Sequence, residues 1–425
     1  MTEPKTLREA SCADDYDPNA MPVDRARALI RSFLHPVSTV ERVAIRSALG
    51  RVLAADVISP FDVPGHDNSA MDGYALRFAD LATGGETVLR RAGESFAGKP
   101  AALTLGAGEC VRIFTGAVMP AGADTVVMQE RATEDATGVR IAAGAVAKAG
   151  QNRRFAGEDL RKGQQVFAVG QRVRPAELGM IASLGIGEVA VYRRLRVAFF
   201  STGDELASIG TPLAAGGVYD SNRYTIHGML ERLGCDVVDM GVVPDVPDAL
   251  EAAFASAAAA ADVVVSSGGV SVGEADFVKA LLDKLGEVVF WKIAMKPGRP
   301  LAYGRIGAAH FFGLPGNPVS VMVTFYQFVR DALLVLQGQR DVQPLPMFKV
   351  PLGAPIRKAP GRTEFQRGIL TGDPARGYTV RTTGDQGSGI LSSMSRANCF
   401  IVLSADAGDV AAGEPVDVQL LEGLV

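Results

Sequence analysis

Between residues 195 and 340, short β-prone runs alternate with segments of helix length, and this alternation narrows the possible folds more than any other feature of the chain. RVAFFST, CDVVDMGVV, DVVVSSGG, VVFWKIAM and HFFGLPG read as strands. Between and after them, DSNRYTIHGMLERLG, PDALEAAFASAAAAA, EADFVKALLDKLG and NPVSVMVTFYQFVRDALL read as helices. Asp220 or Ser221 is placed to cap the first helix, and proline opens the second, which alanine then sustains. Strands spaced by helices of this length predict a doubly wound, mostly parallel α/β domain.

The flanking sequence has a different texture. Residues 1–20 are polar without a period and read as a loose tail. PVDRARALIRSFL and VERVAIRSALGRVLA carry apolar residues three and four apart and predict helices, with Asp24 as an early cap. ECVRIF, DTVVMQE and GVRIAA, broken by Gly and Pro, predict a β-rich unit over 59–158. Residues 159–194 return to turns and a helix, and are expected to rejoin residues 21–58 as a helical or extended dimerisation domain around the β-rich insert. The α/β domain is expected over 195–343. From 344 to 425, FKVPLG, EFQRGIL, GYTVRTT, NCFIVLS and PVDVQLL predict a small β-barrel.

Composition closes off several functions. The chain has 425 residues, 43 Lys+Arg against 47 Asp+Glu and a net charge of −4, so a general nucleic-acid binder is not expected. The alanine-rich stretch 252–265 contains Ser256 and Asp262 and falls short of the ~18 apolar residues a membrane span needs. With no hydrophobic signal region at the start and four cysteines at positions 12, 110, 235 and 399 without CxxC spacing, a reduced cytoplasmic protein is expected. The four histidines share no ligand spacing either. A catalytic metal would then be a hard cation on carboxylates, with Mg²⁺ the first choice.

Ligands of open α/β sheets bind beyond the carboxyl ends of the strands. Three such ends are rich in Gly and polar residues: STGDEL (201–206), SSGGVSVGEAD (266–276) and GLPGNPVS (313–320). The second can cradle a phosphate on backbone N–H groups beside a helix start, although a tight strand-to-helix turn would look the same. In the third, Asn317 and Pro318 suffice as capping chemistry, while Ser320 can point a hydroxyl at an anion. Asp204, Glu205, Asp245, Glu274 and Asp276 gather on the same rim, which favours Mg²⁺ over simple solvated acids. Between 279 and 305 six basic residues face two acidic ones, and on one strand Lys292 and Lys296 would share a face suited to a multiply charged anion. Arg367 offers a planar donor fork, and GSG (387–389) a small nest of N–H and hydroxyl groups. Spacing alone leads to an α/β domain that handles a phosphorylated or oxyanionic ligand.

The ordered set DNSAMDGYA, RIFTGAVMP, STGDEL, SSGGVSVGEAD, KPGRP, GLPGNP and EFQRG resembles the molybdopterin molybdenumtransferase (MoeA) family, which is related to the E domain of gephyrin. The resemblance runs from about residue 21 to the end. It implies molybdenum insertion into adenylylated molybdopterin, with molybdate and Mg²⁺, giving Mo-molybdopterin and AMP. Lys296, Ser320, Arg367 and Ser388 become the molybdate residues. Lys292 and Lys279 would neutralise phosphates, and Ser267, Gly268, Gly269, Ser271 and Gly273, with Pro315, would cradle the nucleotide. Asp245, Asp276 and Glu205 would hold Mg²⁺ and the attacking water. Asp72, Thr115 and Asp159 (the last a further metal ligand) would come from the β-rich unit of a second subunit, so a homodimer is implied. The molybdopterin adenylyltransferase and recipient molybdoenzymes are the partners such an enzyme would meet. The chain departs from the family at Asp385, where His is common; an acid pointing inward beside Ser388 would weaken an anion pocket. Arg299 stands where lysine is frequent. A tungstate-inserting paralogue and a non-catalytic molybdopterin-binding scaffold are the alternative readings; the scaffold is disfavoured because the acids and lysines are retained.

Overall fold

The computed structural model describes residues 20–268, 281–282 and 284–421. The chain divides into two compact units, one of Met1–Ala54, Gly170–Arg174 and Ala190–Val425, the other of Ala55–Val169 and Pro175–Val189.

The first unit is organised by a six-stranded sheet. Its strands are β1 (Arg196–Thr202), β2 (Asp236–Val243), β3 (Val263–Ser267), β4 (Gly286–Lys292), β5 (Pro300–Ile306) and β6 (Ala309–Leu314), in the order β2-β1-β3-β6-β5-β4. The first four in that order are mutually parallel. β5 runs antiparallel to both β6 and β4, so β5 alone opposes the common direction. β5 is absent from the sequence reading: PLAYGRI, Gly307 (φ +58°) and AHFFGL form a hairpin there. VVFWKIAM is also not one strand. β4 stops at Lys292, and Met295–Lys296 forms a separate two-residue strand against the C-terminal sheet. Lys292 and Lys296 are both exposed, but no single strand aligns them on one face.

Period-two alternation explains why the sheet is covered on both sides. Val197, Phe199, Val263, Val265, Trp291, Tyr303, Phe312 and Leu314 enter one core, and Ala198, Phe200, Val264, Val288, Ala302 and Phe311 the other. The second core is closed by α2 (Pro247–Ala260), whose Leu250, Ala253, Phe254 and Ala257 are buried at spacings of three and four; α1 (Ser221–Arg232) packs on the first. The first core also takes the long helix α3 (Pro318–Leu336), whose middle turn, Phe325–Val329, is a π-helix. Among the described residues α3 is the one helix long and apolar enough to cross a membrane; most of it is buried inside the protein, as its Val319, Val321, Val323, Phe325 and Leu333 require.

Val23–Ser32 is helical, as the sequence suggests, but Pro22 occupies the N-cap and Asp24 instead pairs with Arg27 at 2.9 Å. VERVAIRS is not a helix: Val40–Ala44 is a strand and Ile45–Ser47 a single 3₁₀ turn. β-branched residues at 40 and 43 favour the extended form. At the C-terminal end, β7 (Met347–Pro351), β8 (Thr363–Asp373), β9 (Gly377–Thr382), β10 (Cys399–Leu403) and β11 (Pro415–Leu420) form one antiparallel sheet with a short helix, α4 (Leu391–Arg396). The sheet curls until its ends meet: Leu352 bridges Val380, and Gly353 N–H donates to the Val380 carbonyl at 2.7 Å. Val350, Ile356, Val380, Ile401 and Val418 fill its interior.

The second unit is built on a six-stranded sheet from Gly73–Leu76, Thr87–Ser95, Glu109–Ile113, Thr125–Met128, Ala132–Asp135 and Gly138–Ile141. Alternation again fills both faces, with Tyr74, Leu76 and Cys110 on one and Ala75, Val111 and Ile113 on the other. Val57–Ile58 pairs with Gln165–Phe167 beside it.

Candidate functional site

The carboxyl ends of β1, β2 and β3 carry a polar cluster whose inner side chains, Ser201, Thr202, Asn222 and Ser267, are buried. Ser267, ending β3, accepts a hydrogen bond from Asn222 Nδ2 at 2.9 Å; Asn222 Nδ2 also donates to the Gly316 carbonyl at 2.6 Å. Ser267 Oγ reaches the Pro315 carbonyl at 3.4 Å. These contacts tie the β3 end to the loop before α3. Gly268 follows with φ +94°, and a Cβ there would stand 2.3 Å from the Thr202 carbonyl, so only glycine lets the loop lie this close to β1. Thr202 Oγ1 donates to Asp245 Oδ1, and Asp245 N–H points to Asp204 Oδ1 at 3.4 Å. Glu205 is exposed and folds back over Gly203.

Three buried oxygens here have no protein partner: Ser201 Oγ, Asp220 Oδ2 and Asn222 Oδ1. Such atoms cost roughly 1–3 kcal/mol each if left unpaired, so their clustering at the strand ends marks a place prepared for a polar ligand. The donors are all oxygen, which suits a hard cation held by one or two carboxylates together with substrate phosphates. Among the described residues no group of three His, Cys, Asp or Glu side chains could hold a metal by itself. Asp276, Lys279, Glu274, Gly269, Ser271 and Gly273 lie outside the described residues.

A second cluster surrounds the start of α3. Arg367 is 1% exposed. Its Nε donates to Ser393 Oγ and one Nη to the Gly387 carbonyl, both at 2.9 Å. The neighbouring Ser388 carbonyl accepts from Val319 N–H at 3.1 Å, which fixes the GSG loop against the first turn of α3 and hence beside buried Ser320. Gly298 (φ +92°) lies against the same turn: a Cβ there would stand 2.5 Å from Thr324 Oγ1 and 3.5 Å from the Ser320 carbonyl. That places the KPGRP loop, and Lys296 with it, at this corner. The structure therefore brings Ser320, Arg367 and Ser388 together, while the Lys296 side chain lies on the neighbouring strand against Glu364.

Burial pushes the Arg367 guanidinium down to about 10, because the charged form loses water and neither hydrogen-bond acceptor is an anion. Asp385 offsets this slightly by its charge, while its Oδ1 accepts the Gly387 N–H at 2.9 Å and so closes the turn before Ser388. Asn317 sits at the N-cap of α3 but makes no side-chain capping bond, contrary to the capping role read from sequence. Its carbonyl instead accepts Val321 N–H at 3.0 Å.

Some contributors were not legible in sequence. Glu364 is buried on β8, accepts from Gln366 Nε2 at 2.8 Å and lies 3.5 Å from Lys296 Nζ. Asn222, Ser393 and Gln386, whose Oε1 accepts the Arg367 N–H at 2.8 Å, are likewise visible only in the fold. The one available signal was EFQRG itself, where a charged and an amide side chain alternate on one strand face.

In the second unit, Asp72 Oδ1 accepts both the backbone N–H (2.7 Å) and the hydroxyl (2.8 Å) of Thr115. These two bonds hold its carboxyl below the usual range, with help from Arg112. DNSAMDGYA and RIFTGAVMP thus meet at Asp72 and Thr115. Asp159 is exposed in the same unit, anchored through its backbone N–H to the Val63 carbonyl at 3.0 Å.

Three family descriptions match successive parts of the chain: the MoeA N-terminal region (domains I and II) over residues 21–185, a probable molybdopterin binding domain over 198–334, and the MoeA C-terminal region (domain IV) over 349–421. A molybdopterin molybdenumtransferase of Haemophilus influenzae is 46% identical over 93% of this chain and 98% of its own length. Gephyrin of Dictyostelium discoideum is 32% identical over 95% of this chain, which spans 62% of that longer protein. The crystal structure of a molybdopterin biosynthesis MoeA protein from Pyrococcus horikoshii matches with a TM-score of 0.81 and 29% identity, covering 94% of this chain and all of that one. On this agreement of sequence, domain order and fold, the chain belongs to the molybdopterin molybdenumtransferase family of enzymes, which serve molybdenum cofactor biosynthesis.

Proposed function

We propose that this chain inserts molybdenum into adenylylated molybdopterin, consuming molybdate and releasing Mo-molybdopterin, AMP and water. The observation that carries this reading is the corner where the Ser388 loop and the first turn of α3, with Ser320, meet a buried Arg367 guanidinium that has no anionic hydrogen-bond partner; Lys296 stands on the adjoining strand. A tetrahedral dianion placed there meets a buried guanidinium already fixed by two hydrogen bonds, so little reorganisation of Arg367 is needed on binding. Arg367 fixes charge and orientation, the Ser320 and Ser388 hydroxyls donate to oxo groups, and Lys296 Nζ supplies a proton to an oxygen leaving as water. Glu364 keeps that ammonium in place.

The strand-end cluster suits the nucleotide half of the substrate. Gly268 lets the β3 end lie close against β1, and the Asn222–Ser267–Gly316 network holds the rim on which the phosphates would rest. Mg²⁺, when bound, offsets phosphate charge and orients the attacking water; Asp245 and Glu205 are the described carboxylates that would hold it, with Asp276 as a further ligand. Lys292 and Lys279 neutralise phosphate. Asp72, Thr115 and Asp159 serve the site of a homodimer partner. The reading also places the enzyme in the cytoplasm, between the molybdopterin adenylyltransferase and recipient molybdoenzymes.

The test is single-turnover conversion of adenylylated molybdopterin with Mg²⁺, with and without molybdate. Molybdate-stimulated AMP release, lost in Lys296→Ala and in Asp245→Ala, is the expected result. Nucleotide binding without AMP release or molybdenum uptake under any condition overturns the reading in favour of a scaffold.

A further inference from the structure

A second concentration of positive charge lies at the opposite end of the α/β sheet. A cavity of about 170 Å³ is lined by Arg51, Arg172, Arg193, Arg194, Arg232 and Gln337, with Leu49, Tyr192 and Leu233 as its apolar wall. No Asp or Glu is among the residues that line it. Arg194 stands two residues before β1, and Leu233–Gly234 lie just before Cys235 and β2, so the cavity lies at the amino ends of these strands. The strand-end polar cluster lies at their carboxyl ends, about 20 Å away across seven residues of β1.

Two of the five cations are matched from behind. Arg51 pairs with Glu41 at 2.7 Å, and Arg193 makes a two-pronged contact with Asp262 at 2.6 and 2.7 Å. The other three have no carboxylate within ion-pair distance among the described residues. Arg194 donates only to the Gly234 carbonyl, at 2.9 Å. Arg172 is half-buried, and its guanidinium is pushed down by burial and by nearby Arg330. Gln337 braces the floor by donating to the Leu233 carbonyl at 3.0 Å. Gly50 (φ +77°) and Gly234 (φ +75°) keep the mouth open, since a Cβ at either would face an arginine guanidinium. Like charges this close repel, and among the described residues the fold gives Arg172, Arg194 and Arg232 no carboxylate partner.

We propose that this cavity binds a diphosphate group, free or as part of a nucleotide, at a site separate from the strand-end cluster. Three unmatched guanidinium charges complement the roughly threefold negative charge of diphosphate, and planar N–H forks suit its oxygens. The volume exceeds by about tenfold the ~10–15 Å³ that a single water requires, so it accommodates a multi-atom anion. Five chain segments meet here, around residues 50, 172, 193, 233 and 337, and a bound anion would clamp them together. The inference does not depend on the proposed molybdenum chemistry.

The test is calorimetric titration of the full-length protein at fixed ionic strength with inorganic diphosphate, ADP and sulfate. Variants are Arg172→Gln/Arg232→Gln, the milder Arg232→Gln, and Arg367→Met as a probe of the other cluster. Diphosphate should bind with at least tenfold preference over sulfate. That affinity should fall at least tenfold in the double variant, and measurably in Arg232→Gln, whose side chain is exposed and whose folding is not in question. Arg367→Met should leave it unchanged. Equal affinity for diphosphate and ADP supports recognition of the phosphates alone; tighter ADP binding that is lost in the double variant supports a nucleotide whose base uses the Tyr192 and Leu233 wall, while ADP binding unchanged in the double variant belongs to the strand-end cluster and, for ADP, overturns the proposal. Absence of diphosphate binding, binding unchanged in both arginine variants, or binding lost in Arg367→Met would each overturn the proposal.

Discussion

His310 offers a quantitative test of the sheet. It lies on β6, is 6% exposed, and stacks beside Tyr303, whose hydroxyl is 3.4 Å from its Nδ1. Burial, with the charges of Arg305 and His35, pushes its imidazole down to about 4. The folded protein therefore keeps His310 neutral at pH values where the unfolded chain, titrating near 6.5, is protonated. Between these values the unfolded state binds more protons, so the contribution is fully present above about 6.5 and is lost as pH falls toward 4. Moving from pH 7.5 to pH 5.0 should cost about 2 kcal/mol from this group alone, of about 3 kcal/mol available below pH 4. Trp291 is the chain's only tryptophan and stacks on Tyr303 at 6.0 Å, so its fluorescence follows this part of the sheet. Urea unfolding read at Trp291, at both pH values, should show the loss in the native sequence. In His310→Phe, which keeps the ring and removes the titration, the loss should be smaller by that ~2 kcal/mol. Other groups contribute equally to both proteins and cancel in the comparison. An identical pH dependence in the two proteins would refute the argument.

Glu364→Gln should leave the fold intact yet free the Lys296 ammonium; the pair is half-exposed on the lysine side, so stability should change by less than about 1 kcal/mol while single-turnover molybdenum insertion falls at least tenfold. Rescue of the rate by raised molybdate would instead indicate that Glu364 acts on binding alone. Gly268→Ala should destabilise by more than about 2 kcal/mol in chemical denaturation, because φ is +94° and the new methyl meets the Thr202 carbonyl. Arg367→Met removes a buried charge along with two hydrogen bonds, so its stability should change by no more than about 2 kcal/mol. Molybdate should raise the melting temperature of the native protein but not that of this variant, and an equal shift in both would disprove the role of Arg367. Asp72→Asn should weaken the Thr115 contact, with increased hydrogen exchange at the Thr115 amide.

What was legible in sequence depended on how locally each feature is encoded. Strands β1, β3 and β6, helices α1 and α2, and the five C-terminal strands announce themselves through period and turn chemistry within a dozen residues. VERVAIRS shows how that reasoning fails: apolar spacing of three and four was present, but β-branched residues and the surrounding chain made it a strand. The β5–β6 hairpin is not legible because PLAYGRI is largely apolar with a leading proline, and neither alternation nor turn chemistry sets it apart from the strand that follows. Asn317 likewise followed capping rules in sequence, yet its side chain makes no capping bond. Within the site, Arg367 on a strand and Ser320 beside a strand-end loop were visible as residue types. Glu364, Gln386 and Ser393 were not, because only the curled C-terminal sheet carries them to Lys296 and Arg367. The arginine cavity draws on five segments spread between residues 49 and 337, each unremarkable alone.

The central claim is that molybdate bound near Lys296, Ser320, Arg367 and Ser388 exchanges oxygen for the sulfur of molybdopterin. X-ray absorption at the molybdenum edge, on protein quenched after one turnover with adenylylated molybdopterin, Mg²⁺ and molybdate, reads that exchange directly. The account requires loss of oxygen neighbours and the appearance of a pair of sulfur neighbours, absent in Lys296→Ala. Molybdenum that stays surrounded by four oxygens after AMP has been released would contradict it.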